Sequence, residues 1–228
     1  MKDISVILPC LNEEQGIGIC LDKIFHVFSA EGLDGEIIVV DNGCTDNTVS
    51  IVKSFNDERI KIVYAPKKGY GNAYLAGFKE VSGKVVVMGD ADNTYDFYDI
   101  PRFLESLKDS DVVLGSRFKG KMEKGAMPSL HRYVGSPMFV FIMNNFHGLK
   151  ISEPSTGYVA IRKEALDKLN LKQPGMEFAS EFLIKSQRAK LRIKEIPINY
   201  AIRFGDRKLR TFRDGFRHLG FMTKVLVH

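Results

Sequence analysis

Val85-Val86-Val87-Met88-Gly89-Asp90-Ala91-Asp92 reads as a buried strand that ends in two carboxylates one residue apart. A run of apolar residues with no polar alternation belongs in a sheet covered on both faces. Strand side chains alternate faces, but a chain leaving a strand can turn both carboxylates onto one cation. Oxygen donors of this kind suit Mg2+ or Mn2+, which in turn hold phosphate oxygens. Taken alone, the same residues equally describe a solvated turn with a helix cap, so the neighbouring sequence has to decide.

Upstream and downstream, strand and helix patterns alternate. Short apolar runs at Ile4–Leu8, Glu36–Val40, Ile60–Tyr64, Lys84–Met88 and Val112–Gly115 predict five strands. Between them, Ile17, Leu21, Ile24, Phe25 and Phe28 recur at helical spacing. Thr45 is positioned to cap a helix carrying Val49, Val52 and Phe55, and Tyr70–Val81 and Phe97–Leu107 predict two more helices. Repeated crossovers of this length give an α/β fold, a Rossmann-like, mostly parallel sheet covered by helices on both faces. Ligands of such sheets sit beyond the carboxyl ends of the strands. Asp41, Asp90 with Asp92, and Gly115 before Arg117 all fall at that edge.

The second half is less regular. Lys119–Pro128 reads as a mobile loop, Ser136–Phe146 as an apolar helix packed on the domain or partly exposed to lipid, and Tyr158–Ile161 as a strand. Glu177–Ala189 predicts a helix, Arg192–Pro197 a strand, and Arg210–Leu226 an amphipathic helix or helix pair.

Composition narrows the function classes. The 228 residues carry a net charge of +5, and from Lys185 onward Lys and Arg far outnumber the acids. Such a surface suits phosphorylated ligands or anionic lipid; nucleic acid is set aside because the nearby aromatics follow helical spacing and look like a packing face. No stretch reaches the roughly 18 apolar residues of a spanning helix. Cys10, Cys20 and Cys44 lack metal-ligand spacing and give no disulfide framework, so a reducing compartment is expected. A strand directly after Met1-Lys2-Asp3 leaves no room for a signal peptide.

Asp41 precedes Asn42-Gly43-Cys44-Thr45-Asp46. A carboxylate there can accept the imide N–H of uracil or the N–H groups of guanine, with Gly43 permitting a tight turn. Lys67-Lys68-Gly69-Tyr70-Gly71-Asn72-Ala73 is a basic, glycine-rich helix entry whose glycines allow close backbone approach by ribose or phosphate; the Walker pattern is absent. Arg117 and Lys119 are placed to meet a diphosphate, and Arg203, Arg207 and Lys208 form a second positive cluster.

Together these motifs resemble the family 2 glycosyltransferases of the GT-A fold, most closely the dolichyl- or polyprenyl-phosphate hexosyltransferase branch. The resemblance runs through Ile7-Leu8-Pro9-Cys10-Leu11-Asn12-Glu13, Val39–Thr48, Lys68–Ala73, Asp90-Ala91-Asp92 and Gly115-Ser116-Arg117-Phe118. It implies that Pro9, Leu11, Glu13, Asp41 and Gly71 line the nucleotide pocket. It further implies that Asp90, Ala91 and Asp92 form the diphosphate motif, with Asp90 and Asp92 as metal ligands. Thr94 stands where relatives often place a Gln ligand, and Glu153–Tyr158 resembles a stretch near the sugar. Glu181 resembles a carboxylate close to the reacting centre, and Arg117, Arg203 and Lys208 resemble groups that meet donor or acceptor phosphate.

The function so implied is inverting transfer of a hexose from a UDP- or GDP-sugar to a polyprenyl phosphate, with Mg2+ or Mn2+. The catalytic domain is expected over residues 1–209, of which 1–118 bind the nucleotide and 119–209 the acceptor, followed by a C-terminal helical segment 210–228. Apolar residues of Ser136–Phe146 and of the C-terminal helix are expected to meet an anionic membrane surface, placing the enzyme peripherally on its cytoplasmic face; relatives often carry transmembrane helices after this point, so a chain that stops at His228 is expected to be peripheral, associated with a membrane-protein partner, or an incomplete form. The alternative is a family 2 transferase with a soluble or polysaccharide hydroxyl acceptor. A sugar-1-phosphate nucleotidyltransferase lacks its early glycine-rich arginine–lysine loop here, and a nucleotide-sugar sensor would bind without turnover.

Overall fold

A computed structural model describes residues 2–205 and 211–226, the side chains of 211–214 and 226 excepted. Seven strands form one sheet: β1 (Ile4–Cys10), β2 (Gly35–Asp41), β3 (Ile60–Tyr64), β4 (Val85–Met88), β5 (Val112–Met122), β6 (Val159–Arg162) and β7 (Ile193–Tyr200), in the order β3-β2-β1-β4-β6-β5-β7. β6 runs antiparallel to both neighbours, and every other pairing is parallel.

Strand alternation divides the interior into two cores. Ile4, Val6 and Leu8 of β1, with Ile37, Val39 and Val87, pack under α1 (Ile17–Ala30), α2 (Thr48–Ser54) and α4 (Ile100–Ser106). The intervening residues Ile7, Ile38, Val40, Val86 and Met88 pack under α3 (Tyr70–Gly77), α5 (Ser136–Phe146), α6 (Lys163–Leu166), α7 (Phe178–Arg188) and α8 (Thr211–Leu226). Both faces are covered, which explains why the central strands read as unbroken apolar runs and why the predicted α/β fold class holds.

Three sequence expectations change locally. The segment expected to be a loop from Lys119 is instead the continuation of β5 to Met122, pairing Lys121 with Asn199 and Met122 with Tyr200 after an irregularity between Ser116 and Lys121. Gly120 makes this possible, since a Cβ there would lie 1.8 Å from the Ile198 carbonyl oxygen. At the start of α2 it is Asp46, not Thr45, that accepts from the Thr48 amide at 3.0 Å. The stretch read as one helix from Phe97 begins as a short 3-10 turn, Phe97–Asp99, before α4.

Part of the apolar face expected at a membrane surface is turned inward. Met222 of α8 is fully buried, and Leu219, Phe221 and Val225 pack on the same core; on α5, Met143 is fully buried while Phe139 and Ile142 pack beside it. Arg217 and Arg188, expected to add to a basic surface, bond to Glu177 and to the Val225 carbonyl respectively. Phe141, Phe146 and Phe216 remain exposed.

Candidate active site

Parallel pairing of β2, β1 and β4 brings their carboxyl ends to one edge, in register at Cys10 with Asp41 and at Ile7 with Met88. The loops beyond them are tied together. Asn12, left-handed at φ 57°, accepts from the Thr45 amide at 2.7 Å, and Glu13 donates its amide to the Thr48 hydroxyl at 2.8 Å. Pro9 and Leu11 flank this turn, both partly buried. Asp41 Oδ1 accepts from the Gly43 and Cys44 amides at 2.9 and 2.7 Å, which fixes one carboxylate oxygen to the backbone.

Asp90 and Asp92 leave β4 on either side of Ala91, which is buried under the start of α1; a Cβ on Gly16 would lie 2.5 Å from the Ala91 carbonyl oxygen. Asp92 is buried, with Oδ1 accepting from the Thr94 amide at 3.0 Å and from its hydroxyl at 2.6 Å. Thr94 thus orients the Asp92 carboxylate from behind. Arg203 donates to Glu13 Oε1 and Oε2 at 2.9 and 3.2 Å and stands 3.6 Å from Asp92 Oδ2. Tyr70 donates to Asp90 Oδ1 at 3.3 Å. Burial, then the nearby charges of Asp92 and Glu13, push the Asp90 carboxyl up to about 7, against the opposing pull of Arg203 and Tyr70.

Asp90 and Asp92 thus stand one residue apart at this edge, close enough for the charge of Asp92 to raise the Asp90 carboxyl. Among the described residues no group of three or more His, Cys, Asp or Glu forms a ready-made metal site. Two carboxylates with open coordination positions are what Mg2+ or Mn2+ uses when phosphate oxygens and water complete the shell, so the donor set fits a cation shared with a diphosphate.

Other expected site residues lie elsewhere. The buried Arg117 donates to Glu153 through Nε at 2.9 Å and Nη2 at 2.6 Å, and to the Ser155 carbonyl at 3.0 Å. Burial pulls its pKa down, but Glu153 overrides this and holds the guanidinium well above its ordinary value. This pair braces the loop that brings Gly157 against Asp90, where a Cβ would stand 2.4 Å from Oδ2. Lys119 pairs with Glu195 at 2.8 Å. Glu181 accepts from the Lys172 and Gln173 amides. The space around Gly71 is taken by the Gln173 carbonyl oxygen, 2.0 Å from where a Cβ would sit. Lys208, with Arg207, lies outside the described residues.

Asn42 reads in sequence as nothing more than a turn former. It is buried, accepts from the Gly69 amide at 2.8 Å and donates to the Lys67 carbonyl at 3.1 Å, joining the β2 edge to the glycine-rich helix entry. Its position directly after Asp41 was the available signal. Tyr70 and Gly157 carried none, because their partner is distant in sequence.

Residues 5–169 match the glycosyl transferase family 2 model. The chain belongs to this family. It is 39% identical over 222 residues to the low-salt glycan biosynthesis hexosyltransferase Agl6 of Haloferax volcanii, covering 96% of this chain and 52% of that protein. It is 32% identical over 216 residues to a dolichyl-phosphate hexose transferase of the same organism, covering 93% of this chain and 89% of that one. The chain therefore spans about half the length of the first of these relatives. Among solved structures, glucosyl-3-phosphoglycerate synthase from Mycobacterium tuberculosis with UDP matches at a TM-score of 0.76 and 20% identity, over 99% of this chain and 80% of that one. The same enzyme with Mn2+ and UDP-glucose matches at 0.70 and 21%, over 99% and 77%.

The GT-A fold and a glycosyltransferase identity stand, and the expected pairing of a divalent cation with a nucleotide sugar is met in these neighbours as Mn2+ with UDP-glucose. The narrower assignment to the polyprenyl-phosphate branch is corrected. Solved structures that share the fold over 99% of the chain include glucosyl-3-phosphoglycerate synthases, one of them holding UDP-glucose beside phosphoglyceric acid. The expected polyprenyl-phosphate acceptor, anionic membrane surface, membrane-protein partner and membrane-face location lose their basis with it. No helix among the described residues is long and apolar enough to cross a membrane, and the apolar stripe of α8 is docked on the protein's own core.

Proposed function

We propose that this chain transfers a hexose from a UDP-sugar to a soluble acceptor, with Mg2+ or Mn2+ held between Asp90, Asp92 and the donor diphosphate. The observation that carries the reading is the carboxylate pair at the carboxyl edge of β4, where Asp90 and Asp92 stand one residue apart and burial with the neighbouring charge pushes the Asp90 carboxyl up to about 7. A bound divalent cation would neutralise the departing diphosphate.

The protein's own groups do the rest. Asp41 presents its second carboxylate oxygen to the imide N–H of uracil. Glu13 takes ribose, with Pro9 and Leu11 lining the pocket, and Ala91 keeps the turn between the two ligand carboxylates tight. Arg203 moves its charge from Glu13 and Asp92 onto phosphate when donor arrives. Arg117 acts through Glu153 by fixing the loop under Asp90. The same proposal assigns residues 1–118 to the nucleotide and 119–209 to the acceptor, with 210–228 as a C-terminal segment.

The test is a transfer assay with Mn2+, a panel of UDP- and GDP-sugars, and soluble acceptors that include phosphoglycerate and glycerol phosphate, read by mass spectrometry of the product. A glycosylated acceptor formed with UDP-sugar only when Mn2+ or Mg2+ is present is the expected result. Full transfer in chelator, or binding of UDP-sugar with neither transfer nor hydrolysis, would sink the proposal.

A further inference from the structure

The glycine-rich helix entry at Lys68–Ala73 reads in sequence as room for a ligand, but protein fills that room. A Cβ on Gly69 would stand 2.3 Å from the Pro174 carbonyl oxygen, and one on Gly71 would stand 2.0 Å from that of Gln173. The Asn72 amide, in the first turn of α3, donates to the Pro174 carbonyl at 3.1 Å. The segment 172–174 therefore lies directly on the start of α3, and both glycines exist to admit it.

What holds that segment is Glu181. Its side chain is buried on α7, and Oε2 accepts from the Lys172 amide at 2.9 Å and the Gln173 amide at 2.7 Å; Oε1 pairs with Lys185 at 2.7 Å. On the far side, the Gly69 amide donates to Asn42 Oδ1 at 2.8 Å, and the Asn42 amide donates to the Cys10 carbonyl at 2.9 Å. An unbroken series of bonds runs from the Glu181 carboxylate through 172–174 and α3 to the residue beside Asp41.

We propose that Glu181 is a positioning residue for the nucleotide, clamping residues 172–173 so that the start of α3 and the Asp41 edge keep the shape that binds the donor. This rests on the reading of that edge as the nucleotide site. The clamp acts on donor binding and leaves the chemistry of the bound complex alone.

The test compares UDP affinity by calorimetry in Mn2+ with kcat and KM for the UDP-sugar, in the intact chain and in Glu181→Ala, Glu181→Gln and Lys185→Met. Glu181→Ala is expected to weaken UDP binding and raise KM about tenfold or more, with kcat at saturating donor changed less than about twofold. Glu181→Gln keeps an oxygen acceptor for the two amides and recovers most of the loss. Lys185→Met stays within about twofold of the unaltered protein, because a partly exposed ion pair contributes little. Should Glu181→Ala not fold, Glu181→Asp, whose side chain is one carbon too short to reach both amides, carries the test with hydrogen exchange at residues 69–73, and faster exchange there is the expected result. A large fall in kcat with UDP affinity unchanged places Glu181 at the reacting centre and overturns the clamp, while the donor site stands. A lower melting temperature with every kinetic constant unchanged reduces Glu181 to a structural residue. Failure of the unaltered protein to bind UDP overturns the nucleotide reading and the clamp together.

Discussion

Two sets of acids in this protein differ in what faces them. Glu153 and Glu177 are buried, and each has its own Arg: Arg117 and Arg217. Asp90 and Asp92 stand one residue apart at one strand edge, and their crowding shows in the Asp90 carboxyl, pushed up to about 7 by burial and by its like-charged neighbours. Acids that are matched one to one build scaffold. Acids that raise one another's pKa in a shared site suit the uptake of a cation.

Neutralising a carboxylate should therefore have opposite consequences in the two sets. Asp92→Asn removes a cation ligand and relieves repulsion on Asp90. Transfer should fall about a thousandfold, since cation stabilisation of the leaving group contributes several kcal/mol. The melting temperature should hold or rise, and calorimetric scans beside the transfer assay check both. Loss of stability comparable to the loss of activity would place Asp92 with the scaffold acids.

Glu153→Gln probes the other set. It leaves the Arg117 guanidinium buried without a counter-charge, and breaking a buried pair from one side costs about 3–5 kcal/mol. A fall in melting temperature of roughly 10 °C is expected for a chain of this size. An unchanged melting temperature would show that the pair is not part of the scaffold.

Arg203→Ala should have a smaller effect, raising KM for the UDP-sugar by about tenfold to a hundredfold, as expected for loss of a charge-assisted contact of about 1.5–3 kcal/mol. Added salt should reduce the difference from the unaltered protein. A KM that does not move would confine Arg203 to holding Glu13.

The comparison is sharpened least, but most cheaply, by pH. Mn2+ must displace the proton that Asp90 holds up to about pH 7. Affinity for Mn2+ should climb about tenfold per pH unit below that point and level off above it, because metal binding releases the proton. In Asp90→Asn the slope should vanish over the same range, as followed by Mn2+ titration at fixed UDP.

The strands and the carboxylate edge were legible in sequence because β1, β2 and β4 are buried on both faces and β2 and β4 lead into acids; apolar runs and their terminators are local signals. The extension of β5 to Met122 was not, because an outer ribbon with β7 needs no apolar pattern and its register is set by Ile198 on a distant strand. Arg117, Glu181 and Gly71 stand out in sequence while their partners do not, since Glu153, Gln173 and Pro174 meet them only through the fold. The apolar face of α8 misled for a related reason: an amphipathic pattern specifies that a face is covered, and here α7 and the core beneath it do the covering.

The most direct measurement is Mn2+ binding by electron paramagnetic resonance, with and without UDP, in the unaltered protein and in Asp92→Asn. Two carboxylates with open positions should hold Mn2+ weakly alone and at least about tenfold more tightly once UDP supplies phosphate oxygens, and Asp92→Asn should abolish the gain. Equal Mn2+ binding with and without UDP, unaffected by the substitution, would contradict the assignment of this strand edge as the cation and diphosphate site.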